Sequence, residues 1–86
     1  MKLLKFSASW CQPCKTMSAL LANATVPFEV EEIDVDANSD AAGAHKIRGV
    51  PTIIAVNGDG IEVDRLVGAV TKQALDNWLV ATSTKI

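Results

Sequence analysis

At 86 residues the chain suits one domain, since a chain near this length hides about 60% of its unfolded surface and can hold a core without added staples. Its 49% hydrophobic, 21% charged and 5% aromatic residues argue against disordered, fibrous and membrane-spanning classes and leave aliphatic side chains to build the core. Eight Lys and Arg against ten Asp and Glu, a formal charge of −2 with no basic run, argue against a nucleic-acid ligand, and no apolar run approaches the roughly 18 residues of a membrane helix.

From Leu3 to Phe6 a short, mostly apolar run predicts a strand buried on both faces, with Lys5 its odd member. Lys5 also interrupts the opening apolar stretch, and Trp10 stands where a cleavage site needs a small residue, so no secretory signal is expected. After Pro13, the residues Met17, Leu20, Leu21 and Ala24 share one face of a helix that should stop before Pro27. Phe28 to Val35 reads as a second strand and the Ala-rich Asn38 to Lys46 as a short helix, with Asp40 at its positive end. Thr52 to Val56 and Ile61 to Val67 flank Asn57, Gly58, Asp59 and Gly60, a hairpin pattern. Thr71 can cap a last helix whose Leu75, Trp78 and Leu79 form an apolar stripe.

The predicted order is β, α, β, α, β, β, α over one domain, residues 1–86: a parallel βαβ unit, then an antiparallel hairpin and a helix. The only two cysteines, Cys11 and Cys14, fall between the first strand and the first turn of the first helix. Disulfide exchange needs a thiolate, and the unpaired N–H groups and dipole at a helix start favour negative charge there. Cys11 is therefore the expected nucleophile, exposed and acidic, and Cys14 the shielded thiol that resolves the mixed disulfide. Pro13 suits the first turn, where a missing N–H matters little, and stiffens the segment.

Trp10, Cys11, Gln12, Pro13, Cys14 and Lys15, with Val50, Pro51 and Thr52 downstream, resemble the thioredoxin family. The resemblance extends through Phe6, Arg48, Gly49, Val67, Gly68 and Ala69, and so over nearly the whole chain from Lys2 to Leu79. It implies an α/β thioredoxin fold with a mixed four-stranded sheet in the order 2-1-3-4, flanked by three helices. It implies a cis bond before Pro51, placing that loop against the cysteines so that the Val50 backbone binds an extended substrate. Trp10 would belong to the docking surface, and Gly49 and Gly68 would let a partner chain approach closely. The resemblance further implies a cytoplasmic monomer that reduces disulfide-containing proteins without cofactor or metal, serving electron transport and redox homeostasis, recharged by a thioredoxin reductase or by glutathione.

The chain also departs from the family. It leaves no room before Lys2 for the extra strand and helix of full-length thioredoxins; Gln12 stands where Gly is usual, and Ser7 where many carry a second Trp. Six residues before Cys11, Lys5 holds the position where the family usually buries an Asp that helps deprotonate the second cysteine. Nineteen residues before Pro51, Glu32 holds the position of a Lys that neighbours this Asp, so the two charges look exchanged. Lys5 either snorkels to the surface or is buried with Glu32 as partner, favouring the Cys14 thiolate by charge while Glu32 accepts the proton.

Other readings carry less. Zinc needs four ligands, and His45 is the one further soft ligand; a disulfide across two intervening residues closes too small a loop to be merely structural. His45 reads as solvated, Trp78 as core, and the acidic run Glu29, Glu31, Asp34 and Asp36 as solvation. Competing functions are a glutathione-coupled glutaredoxin, a non-catalytic binding subunit, and an oxidant for secreted proteins. Trp10 and the order Val50-Pro51-Thr52 speak against the glutaredoxin.

Overall fold

A computed structural model describes residues 2–24, 26 and 28–85. The predicted order of elements holds: β1 (Lys2–Ser7), α1 (Gln12–Asn23), β2 (Glu29–Asp34), α2 (Ser39–Ala44), β3 (Thr52–Val56), β4 (Glu62–Val67) and α3 (Lys72–Ser83). The strands form one sheet in the order β2-β1-β3-β4. β1 runs parallel to β2, and the β1–β3 and β3–β4 pairs are antiparallel.

Position in the sheet explains the two kinds of strand sequence. β3 lies inside, and all five of its residues are buried, which is why Thr52 to Val56 reads as a run of β-branched residues and Ala55 without polar alternation. β2 lies at the edge with Glu29, Glu31 and Glu32 exposed, and such charges discourage another chain from pairing there.

Alternation along β1 sorts the core into two layers. Leu3 packs with Ile53 and Ala55 against Met17 and Leu21 of α1 and Leu75 and Leu79 of α3. Phe6 packs with Ile33, Ile54 and Val56 on the other face, covered by Ala41 and Ala42 of α2. Truncating one of the buried leucines to Ala would cost about 2–5 kcal/mol. Trp78 lies against the first layer, partly buried.

Element ends differ from expectation for local reasons. β4 starts at Glu62 rather than Ile61, because the Asn57 side chain accepts the Ile61 N–H at 3.0 Å and draws that residue into the turn. α2 stops at Ala44 because His45 caps it and Lys46 takes a left-handed φ of 55°. Thr71 caps α3 as expected, its Oγ1 accepting from the Ala74 N–H at 3.2 Å. α1 ends at Asn23 with Ala24 as its C-cap; Pro27, the expected stop, lies outside the described residues. At the far end of α3, Asp64 of β4 accepts from Thr82 Oγ1 at 3.0 Å and Lys85 Nζ at 2.9 Å, fastening the helix to the edge strand.

Candidate active site

The turn from β1 into α1 is built around Cys11. Its N–H donates to the Ala8 carbonyl at 3.1 Å, and as N-cap its Sγ accepts the Cys14 N–H at 3.1 Å. Cys11 and Cys14 form a disulfide, their Cα atoms 5.3 Å apart. Pro13 sits in the first turn, with no N–H to leave unpaired. The expectation of an exposed Cys11 needs correction: in this oxidised form it is 4% exposed, against 2% for Cys14. The cap turns its sulfur toward the helix, and Ala8, Val35 and Val50 pack around the pair.

The covering loop has the geometry the resemblance implied. The Val50–Pro51 bond is cis, and Pro51 is buried. The Pro51 carbonyl accepts the Gly68 N–H at 2.9 Å, and Thr52 Oγ1 donates to the Gly49 carbonyl at 2.8 Å. Gly68 has a φ of 85°, where an L side chain would be strained. A Cβ at Gly68 or Gly49 would meet nothing within 4 Å, so φ rather than crowding within the chain calls for glycine at 68. Beside this loop a mostly apolar groove of about 190 Å³ is lined by Trp10, Val35, Ala42, Ile47, Gly49 and Val50, with Arg48 its one charged residue. Trp10 is 70% exposed, and its Nε1 donates to Asp36 Oδ2 at 2.9 Å. Asp36, part of an acidic run the sequence assigns to solvation, instead anchors the indole, a role that no spacing reveals.

Lys5 does not snorkel. It is 2% exposed: it sits between Glu32 on β2 and Ile53 on β3 in the register, and α1 brings Ser18 over its ammonium. Its Nζ donates to Ser18 Oγ at 2.5 Å and to Glu32 Oε1 at 3.3 Å. Ser7 Oγ donates to the same carboxylate oxygen at 3.0 Å. A cleft of about 310 Å³ brings Ser18 and Glu32 together with Cys14, alongside Ser7, Lys15 and Asp34. The sequence reading missed Ser18, although its spacing of four from Cys14 on a helix was a signal for a shared face.

The remaining candidates are placed elsewhere. His45, expected to be solvated, is half-buried: its ring packs on Phe6 with centroids 5.6 Å apart, and its carbonyl accepts from Arg65 at 2.6 Å. Among the described residues, no group of three or more His, Cys, Asp or Glu is gathered closely enough to hold a metal. A wider cleft of about 430 Å³ opens between α1 and α3, but the charges lining it, Lys72 and Asp76, satisfy each other at 2.8 Å.

A family model described as Thioredoxin matches residues 1–81. Among curated relatives, the thioredoxin of Chlamydia pneumoniae is 37% identical over 80 residues, spanning 90% of this chain and 78% of that protein. A TPR repeat-containing thioredoxin of Arabidopsis thaliana is 43% identical over 70 residues, 78% of this chain and 18% of that protein. Among solved structures, a mutant thioredoxin from Halobacterium salinarum superposes with a TM-score of 0.77 at 36% identity, covering 93% of this chain and 72% of that one. The oxidized form of a mitochondrial thioredoxin from Saccharomyces cerevisiae gives 0.78 at 28% identity, with 93% and 76% covered.

Proposed function

This chain belongs to the thioredoxin family, and from that premise we propose that it carries electrons to protein disulfides as one domain, Cys11 attacking and Cys14 resolving. It is a thiol–disulfide oxidoreductase, and the disulfide between these two cysteines at the start of α1 is the observation that carries the reading. In the reduced protein the N–H groups of the first turn favour a Cys11 thiolate. That thiolate attacks one sulfur of a substrate disulfide; a mixed disulfide forms, and the other substrate sulfur leaves as a thiolate that takes up a proton. Cys14 then gives its proton to the Glu32 carboxylate, directly or through water in the shared cleft, while the Lys5 ammonium favours the thiolate by its charge. The Cys14 thiolate attacks Cys11 Sγ, the second substrate thiolate departs and is protonated, and two electrons have passed from the dithiol to the substrate.

Substrate would lie in the groove beside Trp10 as an extended segment, bound by the Val50 backbone next to Pro51, with Gly68 offering an open approach. The donor we favour is a thioredoxin reductase rather than glutathione, because the relatives found are thioredoxins. A cytoplasmic monomer serving electron transport and redox homeostasis completes the reading; none of the described helices is long and apolar enough to cross a membrane.

Brief alkylation of the reduced protein tests the roles: Cys11 should be modified first, and labelling of Cys14 ahead of it would reverse them. Cys14→Ser should accumulate the mixed disulfide with substrate. The variant with both cysteines replaced by Ser should lose all activity; if it still supported a larger enzyme as the unaltered protein does, the oxidoreductase reading would fail in favour of a binding subunit.

A further inference from the structure

Lys5 does not line the cleft that holds Cys14. It lines a neighbouring one with Leu21, Ala22 and Val30, and Ser18 and Glu32 belong to both. These two side chains therefore form the partition through which the buried ammonium can act on the resolving thiol. Their chemistry differs. A lysine ammonium only donates, so Ser18 Oγ must be the acceptor in the 2.5 Å contact. A hydroxyl that accepts from a cation keeps its own proton to give away, and that proton becomes a better donor. Ser18 Oγ donates no hydrogen bond among the described residues, and Cys14 lies one helical turn before it on the same face of α1 and on the same cleft.

We propose that Ser18 is a positioning residue for the resolving step: held by Lys5, it donates its hydroxyl to the Cys14 thiolate and so transmits the buried positive charge to sulfur. The inference rests on the assignment of Cys14 as resolving thiol. Ser18 orients and stabilises; it neither gains nor loses a proton overall, and the proton released by Cys14 goes to Glu32. Asp34, the other carboxylate on the cleft, is less free to take it, because its Oδ1 already accepts the N–H groups of Asp36 at 2.8 Å and Ala37 at 3.4 Å. Glu32 Oε2 has no hydrogen bond among the described residues. The charges facing Cys14 are then Lys15 from its own helix, Glu32 and Asp34 from β2, and Lys5 from β1 behind Ser18.

The test is single-turnover reduction of a protein disulfide between pH 6 and 9, following release of the mixed disulfide. Ser18→Ala should move the pH profile of release upward by about one unit, slowing it roughly tenfold at pH 7. Ser18→Thr, which restores a hydroxyl, should bring the profile back. The alkylation rate of Cys11 should not change, because that thiol does not line the cleft. An unmoved profile in Ser18→Ala, or a slowing equal at every pH, would overturn the role and make Ser18 only a structural partner for Lys5. Failure of the underlying assignment looks different: with the roles reversed, Cys11→Ser rather than Cys14→Ser would accumulate the mixed disulfide, whatever residue stands at 18.

Discussion

Two strands of this sheet carry a charge satisfied in the same three-part way with the signs reversed. On β1, the Lys5 ammonium meets a hydroxyl from α1 and the 61% exposed carboxylate of Glu32. On β4, the Asp64 carboxylate meets the buried hydroxyl of Thr82 on α3 and the exposed ammonium of Lys85. In each a helix hydroxyl completes the shell of a charge, buried at Lys5 and half-buried at Asp64, and the counter-ion stays nearer solvent. The comparison teaches that such a triad is an ordinary way to fasten a helix to a sheet. Only the first opens onto a reactive group, since Ser18 and Glu32 share a cleft with Cys14. Function is thus a matter of what the triad faces.

Removing what it faces should have the largest effect. Cys14→Ser should stop multiple turnover, lowering it by at least about a thousandfold as the unresolved mixed disulfide accumulates. With Cys14 gone, Lys5→Met should alter folding stability alone and no redox rate. A further change in the rate of the first attack would mean that the β1 triad acts on Cys11 as well, and the comparison would need redrawing.

Next come the triad members themselves. Lys5→Met keeps much of the side-chain volume and removes the charge, so stability should change little or rise. Release of the mixed disulfide at pH 7 should nevertheless slow by roughly a hundredfold, a modest figure for a positioned proton-transfer system. Glu32→Gln should slow the same step, and the two losses should not add in the double variant, because contacting residues act as a unit. Strict additivity in a double-mutant cycle would separate Lys5 from Glu32.

The β4 triad should answer to pH through stability instead. Burial works to raise the Asp64 carboxyl, but hydrogen bonds from Lys85, the Arg65 backbone N–H and Thr82 outweigh it and hold the group below its ordinary 3.8. A carboxyl lowered by folding contributes stability that is fully present above its unfolded value and is lost as pH falls through the folded one. Acid unfolding should therefore show this loss below about pH 4, and Asp64→Asn should remove it at a cost on the order of 1–2 kcal/mol at neutral pH. The pH profile of turnover should stay that of the unaltered protein; a displaced profile would show that both triads reach the site.

Smallest should be Trp78→Phe. The indole Nε1 is buried without a hydrogen-bond partner among the described residues, so losing that donor offsets part of the lost ring contact. Denaturant midpoints should shift by no more than about 1 kcal/mol. A larger destabilisation would show that the indole N–H is satisfied in solution.

What the sequence determined was whatever depends on neighbours along the chain. Short apolar runs, turn residues, composition and the 3.6-residue stripes of α1 and α3 marked all seven elements, because such signals are carried by residues close together in sequence. The pair Cys11 and Cys14 at a strand-to-helix turn carried its own chemistry, since the helix start that favours a thiolate is made by the residues just after it. The resemblance supplied the loop at Pro51, which composition would not have shown. Tertiary structure alone decided the rest. Lys5 could have snorkelled; the parallel register that sets it beside Glu32 and the helix that brings Ser18 over it put it out of water. The indole of Trp10 is held by Asp36, and Asp64 by Thr82 and Lys85, across 26, 18 and 21 residues of sequence. Each such contact joins groups whose separation along the chain has no period. Only the packing of the sheet and its helices fixes which charge meets which hydroxyl.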